Sequence, residues 1–168
     1  VQGRALPLCW QSYRNKVGHK SQNAQEYALL LRLRAALPPQ VHVVILADRG
    51  FGRAQLVAQC QRLKLDYLVR VRADVIVKTH RWRGNLKHYP IRRGQCRGFS
   101  GVEYRDDGLV NTNLIVRWKK GLAVKKDEPW HLITSLPLSK PGAPAKLSDL
   151  YALRFDIEEL FRDAKNEH

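Results

Sequence analysis

Near the end of the chain, Tyr151, Arg154, Glu158 and Lys165 stand at spacings that could do chemistry. The segment predicts a helix from Ser148, as N-cap, to about Lys165. At roughly 100° per residue the four side chains fall in one stripe. That stripe borders an apolar face of Leu150, Leu153, Ile157, Phe161 and Ala164. The other acids, Asp149, Asp156, Glu159 and Asp163, fall on a water-facing side. Glu158 alone sits beside the core among bases and a phenol. A carboxylate flanked by Arg154 and Lys165 stays ionised, and beside other carboxylates it could hold a divalent ion. On helix geometry alone the commoner outcome of this spacing is an ordinary ion pair with Arg154, four residues earlier.

Asp48 is the second candidate. It closes the apolar run Val41–Ala47 (VHVVILA), which predicts a buried central strand. Arg49-Gly50-Phe51 follows, and the glycine permits a tight turn into a helix from Gly52 to about Leu65. Ligands gather at the carboxyl ends of strands in α/β sheets, so an acid there suits metal or phosphate chemistry. Capping the following helix is the alternative role.

The elements that must position these residues follow from periodicity. Arg4–Tyr13 predicts a strand, and Ser21 starts a helix to about Leu37, stopped by Pro38-Pro39. Asp66–Val71 completes a strand–helix–strand unit with Val41–Ala47. From 72 to 136 short β-like runs alternate with turn residues: Val75–Val77, Gly101–Tyr104, Asn113–Trp118 and Trp130–Leu136. Pro137–Lys146 predicts a linker. The expected organisation is thus an α/β core over 1–71, a β-rich basic insertion over 72–136, and a linker with the final helix over 137–168.

Charge narrows the partner. Thirty Lys and Arg against fifteen Asp and Glu give +15. Residues 49–130 hold nineteen bases and seven acids, whereas 131–168 hold five and six. No acid occurs from Val75 to Val102, where Lys78, Arg81, Arg83, Lys87, Arg92, Arg93 and Arg97 are interleaved with Trp82, Tyr89 and Phe99. Such a surface suits a polyanion, since each base that meets a phosphate releases counterions. The three cysteines are scattered, with no CxxC pair, which argues against a zinc ribbon or a disulfide scaffold. No run is long and apolar enough to span a bilayer.

Tyr151-x2-Arg154-x3-Glu158-x6-Lys165 resembles, without a gap, the Y-R-E-K signature of DDE transposases from bacterial insertion sequences. Asp48 in ILADRGF is similar to the second acid of that catalytic triad, and Glu158 to the third. The resemblance covers nearly all of the chain. It implies a ribonuclease-H-like mixed sheet flanked by helices, with a β-rich insertion before the last helix. It further implies metal-dependent phosphodiester cleavage and strand transfer at transposon ends, with Mg2+ or Mn2+ in a two-metal site held by Asp48 and Glu158. Tyr151, Arg154 and Lys165 would contact phosphates near the cleaved end. Trp130, in Glu128-Pro129-Trp130, would stack on a flipped base, or else be a core tryptophan. Partners implied are double-stranded DNA, as transposon ends and target, and a second copy of the chain in the DNA complex. The location implied is the bacterial cytoplasm, at the nucleoid.

One departure stands out. Before Asp48 the only carboxylate is Glu26, in a helix. The expectation is that the first acid and its strand lie upstream of Val1, and that these 168 residues alone do not cleave DNA. An inactive remnant that only binds DNA, and a related ribonuclease-H-like nuclease, are the alternative readings.

Overall fold

The computed structural model describes residues 8–9, 19–120 and 128–155. Arg4–Tyr13 falls almost wholly outside these, as does the last helix beyond Phe155. Helix α1 spans His19–Ala36, so Ser21 lies inside its first turn and does not precede it. Strand β1 (Val44–Ala47) is apolar throughout and pairs in parallel with β2 (Asp66–Arg70). Helix α2 (Ala54–Arg62) joins them and buries Ala54, Leu56, Val57 and Cys60. It is shorter than its sequence periodicity suggests, because Gly52 closes the 3-10 turn Arg49–Phe51, Arg53 is extended, and the helix is capped at Leu63 before the positive φ of Lys64.

The remaining strands are β3 (Ile76–Lys78), β4 (Arg83–Asn85), β5 (Cys96–Arg105), β6 (Leu109–Arg117) and β7 (Trp130–Thr134). They do not form a separate layer. Strand β7 pairs antiparallel with β2, and one seven-stranded mixed sheet runs in the order β1-β2-β7-β6-β5-β3-β4. This is the mixed sheet flanked by helices that the ribonuclease-H-like expectation called for. Helices α1 and α2 cover one face, where Leu30, Val57, Cys60, Val69, Leu114 and Ile133 pack together. Burial pushes the Cys60 thiol up to about 11, so this cysteine is an inert core residue. Among the described residues no helix is long and apolar enough to cross a membrane.

Two devices tie the long β5–β6 hairpin to the turn after β1. The Tyr104 hydroxyl donates to the Gly52 carbonyl, and Asp107 Oδ1 accepts from Ala54 N at 2.7 Å. Asp107 thus supplies to α2 the cap that Arg53, at its N-cap position, does not give. The hairpin accommodates a bulge between Phe99 and Val102, where Gly101 takes a φ of +64°. The aromatics among the bases turn inward. Trp82 meets Tyr89 edge-on at 5.3 Å and Tyr89 meets Phe99 at 5.4 Å, all packed against the core.

The other face is covered by α3 (Ala143–Ala152), which begins earlier than the sequence suggests. Its N-cap is Gly142 at φ +75°, and Pro144 stands in its first turn, where a missing N–H costs nothing. The last four residues of the expected linker, 143–146, are therefore helix. Ser148 lies buried inside it, its hydroxyl donating to the Pro144 carbonyl at 2.8 Å. The buried stripe is Ser148 and Tyr151, while Leu153, expected in the core, is 56% exposed in a closing 3-10 turn, Leu153–Phe155. The helix turns its phenol to the sheet because Leu68, Ile115 and Leu132 offer a flat apolar floor.

Gly98 in β5 lets α3 approach: a Cβ there would sit 2.6 Å from Pro144 Cγ and 3.1 Å from Leu138 Cδ1. Gly98→Ala should therefore push the start of α3 off the sheet and destabilise the chain by roughly 1–3 kcal/mol in urea unfolding. An unchanged midpoint would show that the helix is not seated there.

Candidate active site

Asp48 stands at the carboxyl end of β1, half-buried, with Oδ1 accepting from Gly50 N at 3.0 Å. That bond caps the 3-10 turn and not α2, so the capping role expected of Asp48 is met one turn early. The turn then presses on the end of β2. A Cβ on Gly52 would lie 3.0 Å from Val71 Cγ1 and 3.2 Å from the Arg70 carbonyl, which is why the position needs glycine. Arg53 reaches back to Glu26 of α1, fixing the turn from a third side.

Across the end of β2, three aromatic and three cationic side chains converge. Trp130, first residue of β7, meets the buried Tyr151 edge-on at 5.4 Å and lies 6.1 Å from the Phe155 ring. Lys119 Nζ sits 4.8 Å over the Trp130 ring and the Arg70 guanidinium 5.9 Å from it. The Arg154 guanidinium lies 4.9 Å from Phe155 and 6.0 Å from Tyr151. Burial raises that phenol above its ordinary range, against the pull of Arg154 and Arg70, and the Asp48 charge adds to the rise. A cleft of about 290 Å3 has Asp48, Glu26 and Arg154 on its wall, with Leu29, Leu30 and Phe51 as part of its apolar lining.

Asp48, Trp130, Tyr151 and Arg154 are thus gathered at one end of the sheet. Glu158 and Lys165 lie outside the described residues, and the pairing of Glu158 with Arg154 lies there too. Arg70, Lys119 and Glu128 belong to the same cluster and were not singled out in the sequence. The position of Arg70, at the carboxyl end of the second parallel strand, is the one signal that could have found it. Among the described residues no group of three or more His, Cys, Asp or Glu side chains could hold a metal ion. Asp48 is an oxygen donor with one oxygen engaged by a backbone N–H, and it fits a hard divalent cation as one ligand of a larger set.

A family model described as the transposase DDE domain matches residues 8–167. No curated protein matches the chain.

His131 shows the electrostatic cost of this cluster. It is 5% exposed, and burial, reinforced by the nearby Arg70 charge, pushes its imidazole down to about 4 from 6.5. Its folded value lies below its unfolded value, so the unfolded chain binds the extra proton first. Stability is complete above about pH 6.5 and declines as the pH falls towards 4, by up to about 3 kcal/mol. Unfolding followed across that interval should show the decline in the wild-type chain and a flatter profile in His131→Phe. Parallel profiles would mean that His131 is charged in the folded state.

Proposed function

The chain belongs to the transposase DDE domain family, and from that premise we propose that it cuts and joins DNA strands at transposon ends by metal-dependent phosphodiester chemistry. In this reading Asp48 and Glu158 are two of the carboxylates that hold Mg2+ or Mn2+ in a two-metal site. When bound, such ions sharpen the attacking water or 3′-hydroxyl and stabilise the leaving oxygen. Oxygen ligands suit them, and neither residue is replaced by Cys or His.

The chain's own residues do the rest. Arg154 offers two donors to a phosphate near the cleaved end, Lys165 a point charge, and Tyr151 a hydroxyl held in place by burial. Trp130 presents a ring already bordered by Lys119 and Arg70, on which an unpaired base could stack while its phosphates meet those cations. DNA, both transposon end and target, is the partner. A second copy of the chain in the DNA complex and a cytoplasmic, nucleoid-associated location complete the proposal.

The observation that carries this reading is the grouping of Trp130, Tyr151 and Arg154 beside the Asp48 turn. Within these residues Glu26 is the one carboxylate before Asp48, and it is taken by Arg53. We therefore assign no first acid, and expect the 168 residues alone to bind DNA without cutting it.

The test pairs duplex binding with Mn2+ titration followed by electron paramagnetic resonance. Duplex binding should weaken steeply with salt. Asp48→Asn and Glu158→Gln should each abolish Mn2+ binding while leaving the duplex affinity within about twofold, since neither side chain is assigned to a phosphate. Mn2+ binding indifferent to both substitutions would overturn the assignment. Metal-dependent cleavage by the 168 residues, lost in Glu158→Gln, would overturn the count of two acids.

A further inference from the structure

The Asp48 turn and the start of β7 meet at a concentration of positive charge. Arg49 Nη2 and Arg70 Nη2 both donate to one oxygen, Glu128 Oε1, at 2.5 and 2.8 Å. These are long-range contacts, joining residues 79 and 58 positions apart in the chain. Arg49 and Arg154 both act on Arg70 as repelling neighbours, and Lys119 stands over the adjoining Trp130 ring. The Arg70 side chain is only 16% exposed, whereas that of Glu128 is 47% exposed. One accessible carboxylate thus neutralises a nest of arginines, one of which is nearly buried.

Two guanidinium groups converging on a single anionic oxygen make an arrangement that accepts a phosphate oxygen as readily as a carboxylate. Glu128 lies outside β7, two residues before its first residue, so its side chain can leave without breaking a strand pairing. Taking the DNA reading given above as its basis, we propose that Arg49 and Arg70 form a binding site for a DNA backbone phosphate, occupied by Glu128 when no DNA is bound. Entry of the phosphate transfers both arginine donors to it and returns the Glu128 carboxylate to water. Because an intramolecular carboxylate must be displaced, a lone small anion competes poorly. A duplex also held by neighbouring contacts competes well. Glu128 is in this sense a specificity device for extended polyanions.

The proposal separates from a general charge effect by comparing equal changes in charge at two places. Glu128→Gln frees the two arginines; Glu103→Gln removes a carboxylate that pairs with Lys78 on β3. On a short labelled duplex at low salt, Glu128→Gln and Glu128→Ala should bind about three- to tenfold tighter than the wild-type chain. Glu103→Gln should change affinity by no more than about twofold. The gain from Glu128→Gln should shrink in an Arg49→Ala background, with thermal melting confirming that each variant folds. Equal gains at positions 128 and 103, or weaker binding in Glu128→Gln, would overturn the proposal. No duplex binding by any of these chains would overturn the DNA reading itself and this site with it.

Discussion

The arrangement of the site depends on the seat of Tyr151. Its ring is buried between α3 and the sheet, on a floor made by Leu68 of β2, Ile115 of β6 and Leu132 of β7. Burying an aromatic of this size contributes about 1.5–3 kcal/mol, and the edge-on contact with Trp130 adds a geometric preference. Because the phenol is fixed, Arg154 is fixed one turn later, and both face the end of β2 where the Asp48 turn arrives. Gly98 and the left-handed Gly142 serve the same end: one lets α3 close on β5, the other sets the direction from which it enters. The catalytic reading of this chain is in that sense a statement about how one helix docks.

The β-rich segment between β2 and α3 has a second role besides its charge. By pairing with β2 through β7, it extends the sheet and shares its core. Its hairpin reaches back to the turn after β1 through Tyr104 and Asp107, holding the Gly52–Ala54 backbone that follows Asp48. The bases it carries are thereby placed in rigid relation to the acid. Their aromatic neighbours Trp82, Tyr89 and Phe99 pack against the core on one face of the sheet, and Trp130 packs on the other.

What could be read from the sequence was what depends on local pattern. The apolar run ending at Asp48 is a strand, and Asp66–Arg70 is its parallel neighbour, because β-branched runs between turn signals leave few other outcomes. The grouping of Tyr151 with Arg154 also follows from helix spacing alone. Sequence pattern alone starts α3 too late, because Ser148 suits a cap so well that Gly142 and Pro144 read as linker; its hydroxyl instead satisfies a carbonyl within the helix. A wheel of unbroken α-helix puts Leu153 in the core, and the 3-10 turn at Leu153–Phe155 rotates it out. Lys119 and Glu128 could not be read at all, and Arg70 only from its place at the carboxyl end of β2, since nothing in the local sequence says that residues so far apart converge beside Trp130.

The central claim is the proposed pairing of Glu158 with Asp48 as ligands of one divalent-ion site. A short thiol-to-thiol cross-linker measures this directly in Asp48→Cys/Glu158→Cys, with Cys9, Cys60 and Cys96 replaced by Ser, Ala and Ser. Asp48→Cys/Glu159→Cys is the control, because the sequence pattern assigns Glu159 to the water-facing acids and not to the proposed site. The account predicts efficient cross-linking in the first pair and little in the second. Equal yields, or a cross-link only through position 159, would contradict it and remove Glu158 from the site.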